Sequence, residues 1–213
     1  MTDLADRLAG RFIVIDGLDG AGKSTQVALL GDYLEGAGLA IRRVRDPGGT
    51  EIGDRIRDIL LDSGHEKMCA PCELMLYMAS RAQLAEEVIR PALAVGRCVL
   101  GDRYISSTIA YQGAGGVPTE AVAVAARIAV GDCLPDLTVI LDLDAEAGLA
   151  RAARAGRADR VEAKHIDYHR KVRQMFLAQA RAAPATHTVI SADAGVEQVQ
   201  EQLRRTVVTW QWK

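Results

Sequence analysis

Lysine is scarce in this chain. Only Lys23, Lys67, Lys164, Lys171 and Lys213 are lysines among 26 basic residues, and the other 21 are arginines. Cysteine is scarce too: Cys69, Cys72, Cys98 and Cys133 are too few for a disulfide framework, and a cytoplasmic setting fits them. No stretch approaches the ~18 uninterrupted apolar residues of a membrane-spanning helix. The first residues carry Asp3 and Asp6 and no apolar core of the kind a secretory signal needs. Net charge is also lacking, at −2, which argues against bulk nucleic-acid or anionic-membrane binding. Internal repeats and low-complexity linkers are missing as well, so the 213 residues read as one domain, 1–213.

What is present is a globular balance, 49% hydrophobic and 25% charged. Short apolar runs alternate with amphipathic stretches. Strands are expected at Phe12–Asp16, Leu39–Val44, Cys98–Gly101, Leu137–Leu143 and Thr186–Ser191. Helices are expected at Lys23–Ala37, Glu51–Leu61, Glu73–Val95, Thr119–Val130, Ala145–Ala155, Lys164–Ala182 and Val196–Thr209. Continuous runs such as Val139-Ile140-Leu141 suit parallel strands buried on both faces. The pattern predicts an α/β, doubly wound, five-stranded parallel sheet flanked by helices, with its ligand crevice at the carboxyl ends of the strands.

Gly17-Leu18-Asp19-Gly20-Ala21-Gly22-Lys23-Ser24 matches G-x-x-x-x-G-K-[ST] in full, between an expected strand and an expected helix. Glycines at these places let backbone N–H groups cradle phosphate at a helix N-terminus. Lys23 reaches the β- and γ-phosphates in such a loop, and the Ser24 hydroxyl sits on Mg²⁺. The motif implies a nucleoside triphosphate and leaves the reaction open.

Further features at expected strand ends point to a phosphorylated acceptor. Asp102-Arg103-Tyr104 places a carboxylate that can order Mg²⁺ or hold an arginine, beside a guanidinium that can clamp a phosphate dianion. Arg45-Asp46-Pro47-Gly48-Gly49-Thr50 is a fixed turn that can support Arg45 at the crevice, with Arg57 on the next helix. Tyr77 and Arg81, four apart, share a helix face, where they suit either a nucleobase or a core aromatic beside a solvated arginine. Arg151, Arg154, Arg157 and Arg160 recur every three residues across an expected helix end at Gly156. They suit a basic lid over polyphosphate or an exposed arginine-rich face. Cys69-Ala70-Pro71-Cys72 has the spacing of a redox pair or half a zinc site, or of two thiols beside a helix start, and does not decide function.

Together these residues resemble the thymidylate kinase family over nearly the whole chain. The resemblance rests on the phosphate loop with Asp19, the Arg45–Thr50 turn and Arg81-Ala82-Gln83. Asp102-Arg-Tyr-x-x-Ser-x-x-Ala-Tyr-Gln-Gly113 and Arg154…Asp159-Arg160-x-Glu162 complete it. It implies phosphorylation of dTMP to dTDP by ATP and Mg²⁺, a lid at about residues 151–162, and a homodimer formed through long apolar helices such as Glu73–Val95.

By the same resemblance ATP is held by Gly17, Leu18, Asp19, Gly20, Ala21, Gly22, Lys23, Ser24 and Thr25, and the metal by Ser24, Asp19 and Asp102. Arg103 holds the dTMP phosphate with support from Arg45 and Arg57. Tyr77 stacks on thymine, Arg81 bonds its carbonyl and Thr108 contacts the base. Tyr111 fills the place of a ribose 2′-hydroxyl, with Gln112 completing that stretch. Lys23, Asp19, Arg103 and the lid residue Arg154 form the catalytic set.

The resemblance departs in places. Gly20 follows Asp19 where some members carry arginine, which puts this chain with bacterial members whose catalytic arginines lie in the lid. Asp46 stands where glutamate is usual, and a cis Asp46–Pro47 bond is implied. Residues 1–9 form an extra leader with no evident role. The rival readings are a kinase for another nucleoside monophosphate, a P-loop regulatory ATPase, and a nucleic-acid-binding ATPase using the arginine ladder.

Overall fold

The computed structural model describes residues 4–156 and 159–212. Five strands, β1 (Phe12–Gly17), β2 (Ile41–Arg45), β3 (Cys98–Asp102), β4 (Leu137–Asp142) and β5 (His187–Ser191), form one parallel sheet in the order β2-β3-β1-β4-β5. All five lie where the apolar runs predict them, within two residues at each end.

Strands β1, β3 and β4 are buried on both faces because helices cover both. One face packs on α2 (Lys23–Gly36) and α10 (Val196–Thr209) through Ile13, Ile15, Leu100, Leu137 and Val139. The other meets α4 (Ala70–Leu84) and α5 (Arg90–Ala94) through Phe12, Val14 and Val99. The order reverses about β1, so the crevice opens at its carboxyl end. Parallel register puts Arg45 level with Asp102, and Asp102 level with Ile15, so the strand-end motifs share one rim.

Helices α3 (Glu51–Leu61), α7 (Thr119–Val130), α8 (Ala145–Ala155) and α10 match the sequence reading end for end. Helix α9 (Ile166–Ala182) starts two residues late. The stretch expected as one helix over Glu73–Val95 begins earlier, at Ala70, and is interrupted by a π turn at Ala85–Ile89 just before α5. Pro91, which lacks an N–H and crowds the preceding turn, accounts for the widening.

Two helices escaped the periodicity. Helix α6 (Ile105–Ala114) carries the segment that follows Arg103. Helix α1 (Leu4–Leu8) gives the leader a structural role that its sequence does not show. Leu8 is fully buried in the core beneath β1 and β4, with Leu4 and Ala5 packed against the same cluster. No described helix is long and apolar enough to cross a membrane.

Candidate active site

The loop after β1 turns where only glycine fits. Gly17 and Gly20 have φ of 138° and 75°, and a Cβ on either would lie 2.4 Å from Leu141 O or 2.1 Å from Gly148 O. Leu18 and Ala21 send their side chains into two different cores, which anchors the loop. Helix α2 then starts at Lys23. The Lys23 ammonium is buried and donates to Leu18 O at 2.6 Å. Burial, with Arg103 adding to it, brings its pKa down to about 8, against the opposing pull of Asp19, Asp102 and Asp16.

Arg103 is the hub of the rim. It is the one non-glycine with positive φ (68°) among the described residues, which turns its side chain back over the loop. Its guanidinium donates to Gly17 O (3.1 Å), Ser107 Oγ (3.0 Å) and a carboxylate oxygen of Asp19. The Tyr111 hydroxyl donates to the other Asp19 oxygen at 2.8 Å. Burial would raise the Asp19 pKa, but Arg103, Lys23 and Tyr111 outweigh it and hold the carboxyl at about 2. Behind this group the fully buried Asp16 accepts from Ser107 Oγ (2.7 Å) and the Gly17 N–H (2.9 Å). Ser24 Oγ donates to Asp102 Oδ2, so an alcohol and a carboxylate meet at the head of α2.

The acceptor side is built from α4 and α6. Glu73, Tyr77 and Arg81, spaced by four, run along one face of α4. Arg81 Nε donates to Asp46 Oδ2 at 2.6 Å, and Nη2 to Tyr104 O at 3.2 Å. The Asp46–Pro47 peptide is cis, and Arg57 donates to Pro47 O at 2.9 Å. Burial raises the Tyr77 phenol pKa, so the ring faces the site as a neutral phenol. Thr108 is 1% exposed, and its Oγ1 has no hydrogen-bond partner among the described residues. Gln112 donates to Glu73 Oε1 at 2.7 Å.

These groups open on one cavity of about 480 Å³. Every residue nominated from the sequence lines it except Gly17, Leu18, Ala21 and Arg154.

The arginine ladder does not act as a unit. Arg151 lines the cavity and donates to Ala192 O at 3.0 Å. Arg154 is exposed on the last turn of α8, and Arg157 lies outside the described residues. Arg160 is a buried clasp, donating to Leu60 O (3.0 Å) with its Nη2 2.5 Å from Glu73 Oε2. Asp159, between them, caps the next turn by accepting the Val161 and Glu162 N–H groups at 2.8 and 2.9 Å.

The family model for thymidylate kinase matches residues 15–203. Thymidylate kinases of Pseudomonas fluorescens and Deinococcus radiodurans are each 45% identical to the chain, covering 92% and 91% of it and 94% of each relative. The chain belongs to the thymidylate kinase family. A crystal structure of the Ehrlichia chaffeensis enzyme superposes with a TM-score of 0.76 at 27% identity, over 93% of this chain and 98% of that one. The fold is that of a P-loop nucleoside-monophosphate kinase, and the reaction is phosphorylation of dTMP to dTDP by ATP with Mg²⁺.

Two buried residues, Asp16 and Glu73, escaped the sequence reading, and a third, Ser107, stood in the Asp102–Gly113 motif with no role given to it. Asp16, Ser107 and Glu73 are all buried and support nominated groups. Glu73 had a signal, since it stands four before Tyr77 and eight before Arg81. Ser107 stands four after Arg103 and four before Tyr111. Asp16 had none beyond being a carboxylate in an apolar strand. Among the described residues no cluster of three or more His, Cys, Asp or Glu could hold a metal. The Ser24–Asp102 pair supplies oxygen donors of the kind that suit Mg²⁺, which takes few protein ligands.

Proposed function

We propose the following division of labour for phosphoryl transfer in this cleft. The loop Gly17–Thr25 and Lys23 bind the ATP polyphosphate, and Ser24, Asp102 and Asp19 would hold Mg²⁺. The metal would supply charge neutralisation to the polyphosphate. Arg103, with Arg45 and Arg57, binds the dTMP phosphate. Tyr77 stacks on the base, Arg81 bonds a carbonyl of thymine, and Thr108 uses its unpaired hydroxyl on the base. Tyr111 occupies the space that a ribose 2′-hydroxyl needs, beside Gln112. Arg154, on the edge of the lid, supplies charge to the group in transfer.

The observation that carries this reading is the junction of two phosphate-binding devices at Arg103. Its guanidinium bonds Gly17 O of the triphosphate loop, while its neighbour Asp102 lines the cavity and Tyr104 O holds Arg81 on the acceptor side. The attacking dTMP phosphate oxygen is already anionic near neutral pH, so no strong base is needed and positioning with charge neutralisation suffices. In a coupled ADP-release assay, Lys23→Ala and Arg103→Ala abolish dTDP formation with the fold retained. Wild-type rates in either variant reject the assignment.

The whole chain, 1–213, is read as one catalytic domain with its lid at about 151–162. The same reading takes the enzyme to be a cytoplasmic homodimer. Exposed Ile52 and Ile59 on α3, Met75 on α4, and Val124 and Ile128 on α7 support an apolar contact face, since α4 packs between the other two helices. Light scattering that gives the monomer mass at micromolar concentration overturns the dimer.

A further inference from the structure

The phosphoryl-transfer site makes no use of Cys69 and Cys72, although both thiols are exposed at the start of the helix that carries Glu73, Tyr77 and Arg81. Cys69 is the N-cap of α4, with extended backbone (φ −73°, ψ 152°), and Cys72 is the third residue of its first turn. An extended N-cap residue turns its side chain over that turn towards the third position, the geometry by which capping pairs meet. The turn is closed by Glu73 N–H donating to Cys69 O at 3.0 Å, and Pro71 between the cysteines stiffens it. The Cys69 side chain makes no cap hydrogen bond to the first turn of α4.

Two further observations single out this pair. Cys98 and Cys133 are buried, and burial pushes the Cys98 thiol up to about 12, so neither competes as a nucleophile. Cys72 opens on a groove of about 550 Å³, with Met68 and Leu76 for apolar contact and Lys67 as its one full cation, beside Glu66. The His65 ring at its edge lies 3.7 Å from the Asp62 carboxylate. An open groove with a lysine beside an exposed thiol admits a small disulfide that carries a carboxylate.

We propose that Cys69 and Cys72 are a redox-active dithiol that exchanges with low-molecular-weight anionic disulfides of the glutathione type. One protein thiolate attacks a sulfur of the external disulfide, breaking that S–S bond and releasing one thiol. The second protein thiolate then attacks the mixed disulfide, forms the Cys69–Cys72 bond and releases the other thiol. Two protein thiols are oxidised and one external disulfide is reduced to two thiols, so atoms and electrons balance. The oxidised turn adjoins Glu73, whose carboxylate holds Arg160 at 2.5 Å.

The test incubates the purified full-length protein in glutathione buffers from fully reduced to fully oxidised, followed by acid quench, alkylation and intact-mass and peptide mapping. The wild-type protein is expected to lose two alkylatable thiols and two hydrogens in the oxidised buffers, with the new bond mapped to Cys69–Cys72 and reversed in the reduced ones. Cys69→Ser and Cys72→Ser each stop at a mixed disulfide with glutathione. Four alkylatable thiols in the wild type at excess oxidised glutathione overturn the proposal. So does a stable glutathione adduct on the wild type that never resolves to the internal bond.

Discussion

Asp46 Oδ2 accepts from Arg81 Nε at 2.6 Å, and both side chains are 1% exposed. The pair fixes the Arg81 guanidinium at the wall of the cavity, and Tyr104 O takes its next donor at 3.2 Å. Removing one partner of such a pair strands a buried charge. Asp46→Asn is therefore expected to lower stability by about 3–5 kcal/mol. It also raises KM for dTMP about tenfold by releasing Arg81, a loss of about 1.4 kcal/mol in binding. Denaturant unfolding and steady-state kinetics read the two effects separately.

Asp19 gives acid lability a definite window. Its carboxyl is held at about 2 in the fold against an ordinary 3.8. A depressed carboxyl stabilises the fold fully above the unfolded value and loses that stabilisation as pH falls through the folded one. The contribution is on the order of 2 kcal/mol at neutral pH and drains between about pH 4 and pH 2. Asp19→Asn should flatten the stability profile across that interval, measured by thermal unfolding at stepped pH. An unchanged slope contradicts the Arg103–Asp19 coupling.

Lys23 leads to a proton-uptake signature. Its pKa of about 8 belongs to a buried ammonium that bonds a carbonyl. An arriving polyphosphate anion stabilises the charged form and lifts that value. Binding of ATP at about pH 9 should then take up close to one proton, whereas at about pH 7 Lys23 is already charged and contributes none. Calorimetry in buffers of different ionisation enthalpy measures the uptake, and Lys23→Met should abolish it.

The split of the arginine ladder predicts two different phenotypes. Arg160→Ala breaks the clasp on Glu73 and Leu60 O and should lower the melting temperature, because Glu73 loses its 2.5 Å partner. Arg154→Ala, on an exposed turn, should leave the melting temperature alone. If its guanidinium serves the transferred phosphoryl group, kcat falls by about 10³ or more, the range for an arginine finger. A stable, fully active Arg154→Ala would move that role to another lid residue, Arg151 first, since it lines the cavity.

The parts legible from sequence were those written locally. The phosphate loop is one contiguous signature, and the strand-end triplets declare their place because a buried β run stops beside them. Helix α6 was missed because Ile105-Ser-Ser-Thr-Ile carries β-branched and serine residues, and its N-cap Tyr104 offers no side-chain cap. It is held instead by packing on α9 and by Ser107 and Tyr111 bonding into the loop. The fate of Arg160 depends on Glu73 and Leu60, far away in the chain, so spacing alone grouped it with the lid arginines. The leader failed for a similar reason: five residues show no period, and only the buried Leu8 reveals that they seal the core.

The most direct measurement follows ADP formation from ATP and Mg²⁺ with dTMP, dUMP, CMP and TMP (the ribonucleotide) in turn, and with no acceptor. Turnover should be fastest with dTMP, fall with the other acceptors, and be negligible without one. In Tyr111→Ala, the gap between dTMP and its ribonucleotide should narrow. ADP release at the same rate with and without dTMP would contradict the account, because the Arg103 junction and the Tyr77–Arg81 face would then have no acceptor to bind.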